Sequence, residues 1–152
     1  MKKLNRKGFT LVELLAVIII LAIVVGITIP AVLNTINSSR SKAGDSAAQI
    51  AANWIDEQYA LMAVGVGMDS AFTNACGTNG ATCHDEKTFA ASDANGAALI
   101  KAAGMKTTDV STMKVKINST TGKSCVTITA AANGGYYVQN ASTQDHKQGA
   151  GC

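Results

Sequence analysis

The residues able to do chemistry in this 152-residue chain are few: four cysteines, two histidines, and ten acids against thirteen Lys and Arg. Cys76, Cys83, Cys125 and Cys152 can oxidise in pairs or bind a metal; a metal set would draw on Cys83, His84, Cys125 and His146. No CxxC-type spacing supports ligation, and an even number of cysteines suits two disulfides in an oxidising compartment. Spacing alone leaves the connectivity open. The favoured pairing is Cys76 with Cys83, pinching a loop, and Cys125 with Cys152, tying down a tail of small and polar residues that would otherwise fray. The adjacent pairs Asp56-Glu57 and Asp85-Glu86 are not carboxylates set across a cleft, and no nucleophile elbow or phosphate loop is present. No enzyme activity, catalytic residue, metal or cofactor is therefore expected, and His84 and His146 are expected at the surface. The NxS/T triplets at Asn37, Asn118 and Asn140 are glycan acceptors only where a suitable transferase exists.

One acid stands apart. Glu13 lies four residues after Phe9, at the start of a segment whose continuation, Leu14 to Ile29, carries no charge. Phe9 to Leu33, taken as helix, is about 38 Å long at roughly 1.5 Å per residue, enough to cross a hydrocarbon core of about 30 Å. Lys2, Lys3, Arg6 and Lys7 precede it, which places the N-terminus in the cytoplasm and the chain after residue 33 outside. Beyond this leader the nine remaining basic residues face ten acids, so binding of nucleic acid by net charge alone is unsupported. With 47% hydrophobic residues and one Pro the chain is neither disordered nor collagen-like, and its length suits one small domain. A cleavable secretory signal would end in a small-x-small pattern, which Ile29-Pro30-Ala31-Val32-Leu33-Asn34 lacks.

The run Lys7-Gly8-Phe9-Thr10-Leu11-Val12-Glu13-Leu14-Leu15 resembles the N-terminus of the type IV pilin family, with the likeness confined to about residues 2–35. The resemblance implies that a prepilin peptidase cuts between Gly8 and Phe9, removing a basic leader, residues 1–8, and that the new N-terminal Phe9 is N-methylated. It also maps the family's glutamate onto Glu13 and its helix-bending proline onto Pro30. The chemistry of Glu13 follows without the family. A carboxylate in a bilayer persists only when compensated, and cleavage creates a cationic amine on Phe9. Within one chain the helix holds that amine a turn away; between copies shifted along an axis, Glu13 of one meets the Phe9 amine of the next. Glu13 is then the register device of a growing filament.

The elements that position these residues are read as follows. Ala43, Ala47, Ile50, Ala51, Trp54, Gln58 and Leu61 recur at helical spacing, and Gly65 and Gly67 form a stop. One helix from about Phe9 to about Met62, on the order of 80 Å, is expected, membrane-embedded in residues 9–33 and amphipathic in 34–62. Gly26 and Pro30 interrupt it, predicting a bend or a locally melted stretch. Residues 63–112 read as a connecting loop region, with a short helix within Ala90 to Met105. Residues 113–152 read as an antiparallel sheet with strands at Met113–Ile117, Val126–Thr129 and Tyr136–Gln139, followed by the C-terminal disulfide region. The fold class is α+β: a long N-terminal helix packed, through its Ile50, Trp54 and Leu61 face, on a small antiparallel sheet in a head spanning 34–152.

Charge is unevenly spread. Residues 43–100 hold seven acids and only Lys87, whereas residues 101–123 hold five lysines and only Asp109. Acidic surfaces of one head are therefore expected to face basic strands of its neighbour. Lys114 and Lys116 share a strand face, which makes DNA contact the rival use. The expected function is that of a structural pilus subunit serving adhesion, motility, aggregation or DNA uptake. The alternatives are a minor pilin that binds DNA or a surface ligand, and a pseudopilin of a type II-like secretion system. By the resemblance its partners are copies of itself, prepilin peptidase, and an assembly platform with its ATPase. The membrane holds the precursor, and the extracellular filament is its destination.

Overall fold

In a computed structural model of the chain, residues 8–139 and 145–152 are described. The leader cations Lys2, Lys3, Arg6 and Lys7, and the triplet at Asn140, lie outside the described residues. The chain divides into two compact units, Met1–Ile36 and Asn37–Cys152. Helix α1 (Leu11–Ala63) supplies the regular structure of the first and the opening element of the second. Its sequence is dominated by Leu, Ile, Val and Ala, and it ends where Gly65 takes a positive φ of 71°, a conformation that favours glycine.

In the first unit the helix runs unbroken through Gly26 and Pro30, so the locally melted stretch is not observed. Pro30 has no N–H to give the Gly26 carbonyl. Nearby hydroxyls instead donate back along the helix: Thr28 Oγ1 to the Val25 carbonyl at 3.3 Å and Thr35 Oγ1 to the Ala31 carbonyl at 3.1 Å.

The second unit adds α2 (Ser70–Cys76), a 3₁₀ turn (Ala81–Cys83), β1 (Lys87–Ala90), α3 (Ala94–Ala102), β2 (Val110–Ile117), β3 (Ser124–Ala130) and β4 (Asp145–Gln148). The strands form one antiparallel sheet in the order β1-β2-β3-β4. Asp69 caps α2 by accepting from the Ala71 amide at 2.7 Å, and Asp93 caps α3 by accepting from the Gly96 amide at 3.2 Å. The α+β arrangement, a long N-terminal helix packed on a four-stranded antiparallel sheet, is like that of type IV pilins.

Three expectations need correction. The stretch 63–112 holds, besides the short helix α3 within the expected Ala90 to Met105, also α2, the 3₁₀ turn, β1 and the start of β2. Tyr136–Gln139 is no strand; the fourth strand is Asp145–Gln148, whose sequence Asp-His-Lys-Gln has no apolar alternation because it lies at the sheet edge. The buried stripe of α1 is also rotated from the expected one. It consists of Gly44, Ala47, Ala48, Ala51, Ala52, Ile55 and Gln58, while Ile50 is 59% exposed. The reason is distance: a helix lying close against a sheet admits alanine and glycine at the contact, and the bulkier Ile50 points away. Trp54, half-buried, meets Phe72 edge-on with ring centroids 6.5 Å apart. Leu99 and Ile100 of α3 and Met113, Val115, Val126 and Ile128 of the sheet complete the core.

Helix α1 meets the edge strand β4 at Gly44, where an added Cβ would fall on the His146 imidazole ring. Gly44→Ala is therefore expected to destabilise the head by about 1–3 kcal/mol through overpacking, although alanine ordinarily gains up to about 1 kcal/mol over glycine inside a helix. Denaturant unfolding of the full chain in detergent measures it. In His146→Ala, which empties the site, the same substitution should be neutral or stabilising.

Candidate functional site

The scissile bond inferred from the sequence, Gly8–Phe9, lies ahead of the first residue of α1 in exposed, non-helical backbone, and Phe9 is 89% exposed. A Cβ at Gly8 would meet nothing within 4 Å. Among the described residues nothing covers this bond.

Helix α1 starts on a reciprocal cap. The Glu13 amide donates to Thr10 Oγ1 at 3.3 Å, and the Thr10 amide donates back to Glu13 Oε2 at 2.9 Å. The Thr10 hydroxyl donates to the same oxygen at 2.8 Å. This is a capping box, with Thr10 at the N-cap and Glu13 three residues on. It gives the carboxylate polar company within its own chain, a role that the sequence reading missed although Thr-x-x-Glu before an apolar run spells it out. All three bonds involve Thr10 and only one carboxylate oxygen, Oε2. Among the described residues no cation lies within ion-pair distance of Glu13.

Around this polar point the helix is apolar and uncovered. Leu11, Val12, Leu14, Leu15 and each Ile, Leu and Val as far as Ile36 that ranks as a large hydrophobic is exposed, from 41% at Ile36 to 81% at Leu11. By length and composition α1 can cross a membrane. Such a surface needs lipid or other apolar helices against it.

In the second unit the structure joins Cys76 to Cys83 and Cys125 to Cys152, the two pairs favoured from the sequence. Cys83 and Cys125 thus sit in different disulfides, and the rival metal set of Cys83, His84, Cys125 and His146 is not assembled. His146 corrects its expected surface position: it is 5% exposed, its Nδ1 lies 2.9 Å from Asp45 Oδ1, and its Nε2 is buried without a hydrogen-bond partner among the described residues. His84 is half-buried, edge-on to Tyr59 with centroids 6.2 Å apart. No signal in the sequence marks the Gly44–Asp45–His146 contact, since its partners are about a hundred residues apart.

The acid pairs are divided by the fold. Asp56 Oδ1 accepts from the Ser124 amide at 2.6 Å and its Oδ2 lies 3.2 Å from Lys123 Nζ, whereas Glu57 points to solvent. Glu86 lies 3.6 Å from Lys114 Nζ. The acidic and basic segments of the sequence therefore meet at two points within one head, Asp56 with Lys123 and Glu86 with Lys114. Asp109 accepts from the Gly135 amide at 2.8 Å, and burial together with the Asp109 charge raises the Tyr136 hydroxyl above its ordinary pKa, keeping the phenol neutral.

Comparison with known families agrees with the geometry of the helix start. Residues 3–29 match the family model described as the prokaryotic N-terminal methylation motif, which is the type IV prepilin signature. The motif supports a type IV pilin or pseudopilin family, one that is structural rather than catalytic. It implies processing by prepilin peptidase and pilus assembly, and with the apolar helix it fits a membrane-anchored precursor. Neither the curated proteins nor the solved structures compared with the chain gave a match.

Proposed function

We propose that the mature chain, beginning at Phe9, is a structural subunit of a type IV pilus and polymerises through its N-terminal apolar helix. The precursor sits in the cytoplasmic membrane with its N-terminus inside, and the assembled filament stands at the cell surface. The observation that carries this reading is the uncovered apolar surface of α1 with a single acid at its start. Lipid can cover the surface before assembly, and helices of other copies can cover it afterwards. In an apolar bundle the Phe9 amine of one copy needs a counter-charge, and Glu13 of another supplies it in exchange for its hydrogen bonds with Thr10. N-methylation of Phe9 leaves that positive charge in place. Gly26 and Pro30, where one backbone hydrogen bond is missing, mark the place at which the helix bends or opens as the filament forms.

Mass spectrometry of sheared surface filaments tests the proposal. This chain is expected as the major component, starting at Phe9, one methyl group heavier than the bare sequence, with its four cysteines oxidised. A chain absent from such filaments, or one starting elsewhere, would overturn it. Loss of an exported enzyme rather than of surface filaments on deletion would identify a pseudopilin.

A further inference from the structure

Net charge gives the head no preference, because residues 37–152 hold nine acids and nine Lys and Arg. The way those charges are used differs by sign. Seven of the nine acids are engaged within the chain. Asp45, Asp56, Asp69, Asp93, Asp109 and Asp145 share hydrogen bonds with in-chain groups, and Glu86 pairs with Lys114. Of the eight lysines in this unit, only Lys114 and Lys123 form ion pairs among the described residues. Glu57 and Asp85 are the two acids of this unit without such a partner among the described residues, so most of its acids are held in place while most of its lysines are not.

Three of these lysines share one surface. Met113, Val115 and Ile117 of β2 and His146 of β4 are buried, so the alternating residues Lys114, Lys116 and Lys147 project from the other face of the sheet. The pairing register sets Thr88, Lys114, Thr127 and Lys147 in one row across all four strands, with Lys116 two residues along from Lys114. At roughly 4.8 Å between strands, Lys114 and Lys147 stand about 10 Å apart, far enough to meet different phosphates. Lysines interleaved with threonine hydroxyls are donors suited to phosphate oxygens. No aromatic residue stands in this row to stack an unpaired base. The acids at its border are Asp145, which accepts from the Thr129 hydroxyl and keeps its charge, and Glu86, whose exposed pair with Lys114 is weak enough for a phosphate to displace it.

We propose that this outer sheet face binds the phosphate backbone of duplex DNA without reading its bases, and that repetition along the filament makes a weak patch effective. The multivalent part rests on the filament reading above; the contact itself belongs to the single head.

The test measures binding of a fluorescent DNA duplex, over a salt titration, to sheared filaments and to the detergent-solubilised full chain. Three phosphate contacts give a slope of about −2.7 per head in log affinity against log salt, so raising salt from about 50 to about 200 mM should weaken binding roughly 40-fold per engaged head. Lys116→Gln with Lys147→Gln should flatten the slope by about 1.8 per head while filament yield stays at the parent's level. Lys101→Gln with Lys106→Gln removes the same charge away from this face and should change little. Unaltered binding in the first variant, an equal loss in the second, or a polyuronate competing better than DNA would each overturn the proposal. If no filaments form, the filament reading fails, and the solubilised chain still decides the fate of the patch.

Discussion

A Glu13→Gln chain is expected to be made, inserted and cleaved normally, yet to yield at least about tenfold fewer filaments than the parent. Glutamine keeps the shape of the side chain and can replace glutamate in a capping box, so the start of α1 survives the change. The negative charge does not. An incoming subunit then brings its Phe9 amine into an apolar bundle with no counter-charge, and every added copy meets the same unpaired cation. Glu13→Ala removes the cap as well and should show the same filament loss with a frayed first turn. Immunoblotting separates the cleaved from the uncleaved chain, and electron microscopy with quantification of the sheared fraction gives the yield. Parent-length, parent-abundance filaments from processed Glu13→Gln protein would end the ion-pair account of assembly.

The second large effect concerns the C-terminal disulfide. Cys125→Ser with Cys152→Ser is expected to lower the stability of the head by about 3.5 kcal/mol, from the loop entropy of a 27-residue separation. The 7-residue separation of Cys76–Cys83 gives about 2.4 kcal/mol, so its double serine variant should unfold at a higher denaturant concentration than the C-terminal one. The structure adds a reason for the same order. The Cys125–Cys152 loop encloses β4, a four-residue edge strand held otherwise by its ladder to β3 and the contact of His146 with Asp45. Freed, that strand uncovers Val126 and Ile128, which are fully buried in the parent. Guanidinium unfolding of the full chain in detergent, with and without reductant, measures both losses. Equal midpoints for the two double variants would refute the ranking.

The parts of this protein legible in its sequence are those whose physics is local. Glu13 and its distance from Phe9, the apolar run that follows, and the glycine stop near residue 65 need only neighbouring residues and the period of a helix, and each lies where expected. The Thr10–Glu13 capping box belongs to the same local class and was readable too. Strands β2 and β3 announced themselves through alternation because one of their faces is core. The edge strands β1 and β4 did not. Lys87–Ala90 has a single well-buried residue, Phe89, and Asp145–Gln148 buries only a histidine, so neither carries a period for sequence to display.

What the sequence by itself determined is the character of the first 35 residues: a prepilin-type motif, a helix that needs apolar company, and one acid at its start. Tertiary structure alone decided which side of α1 is buried, because only the close approach of the sheet excludes Ile50 in favour of alanines. It alone joined Gly44 and Asp45 to His146, and it alone tied the acids into caps and pairs while leaving lysines on one open face. Those outcomes depend on contacts between residues far apart in the chain, whose meeting no window of sequence can contain.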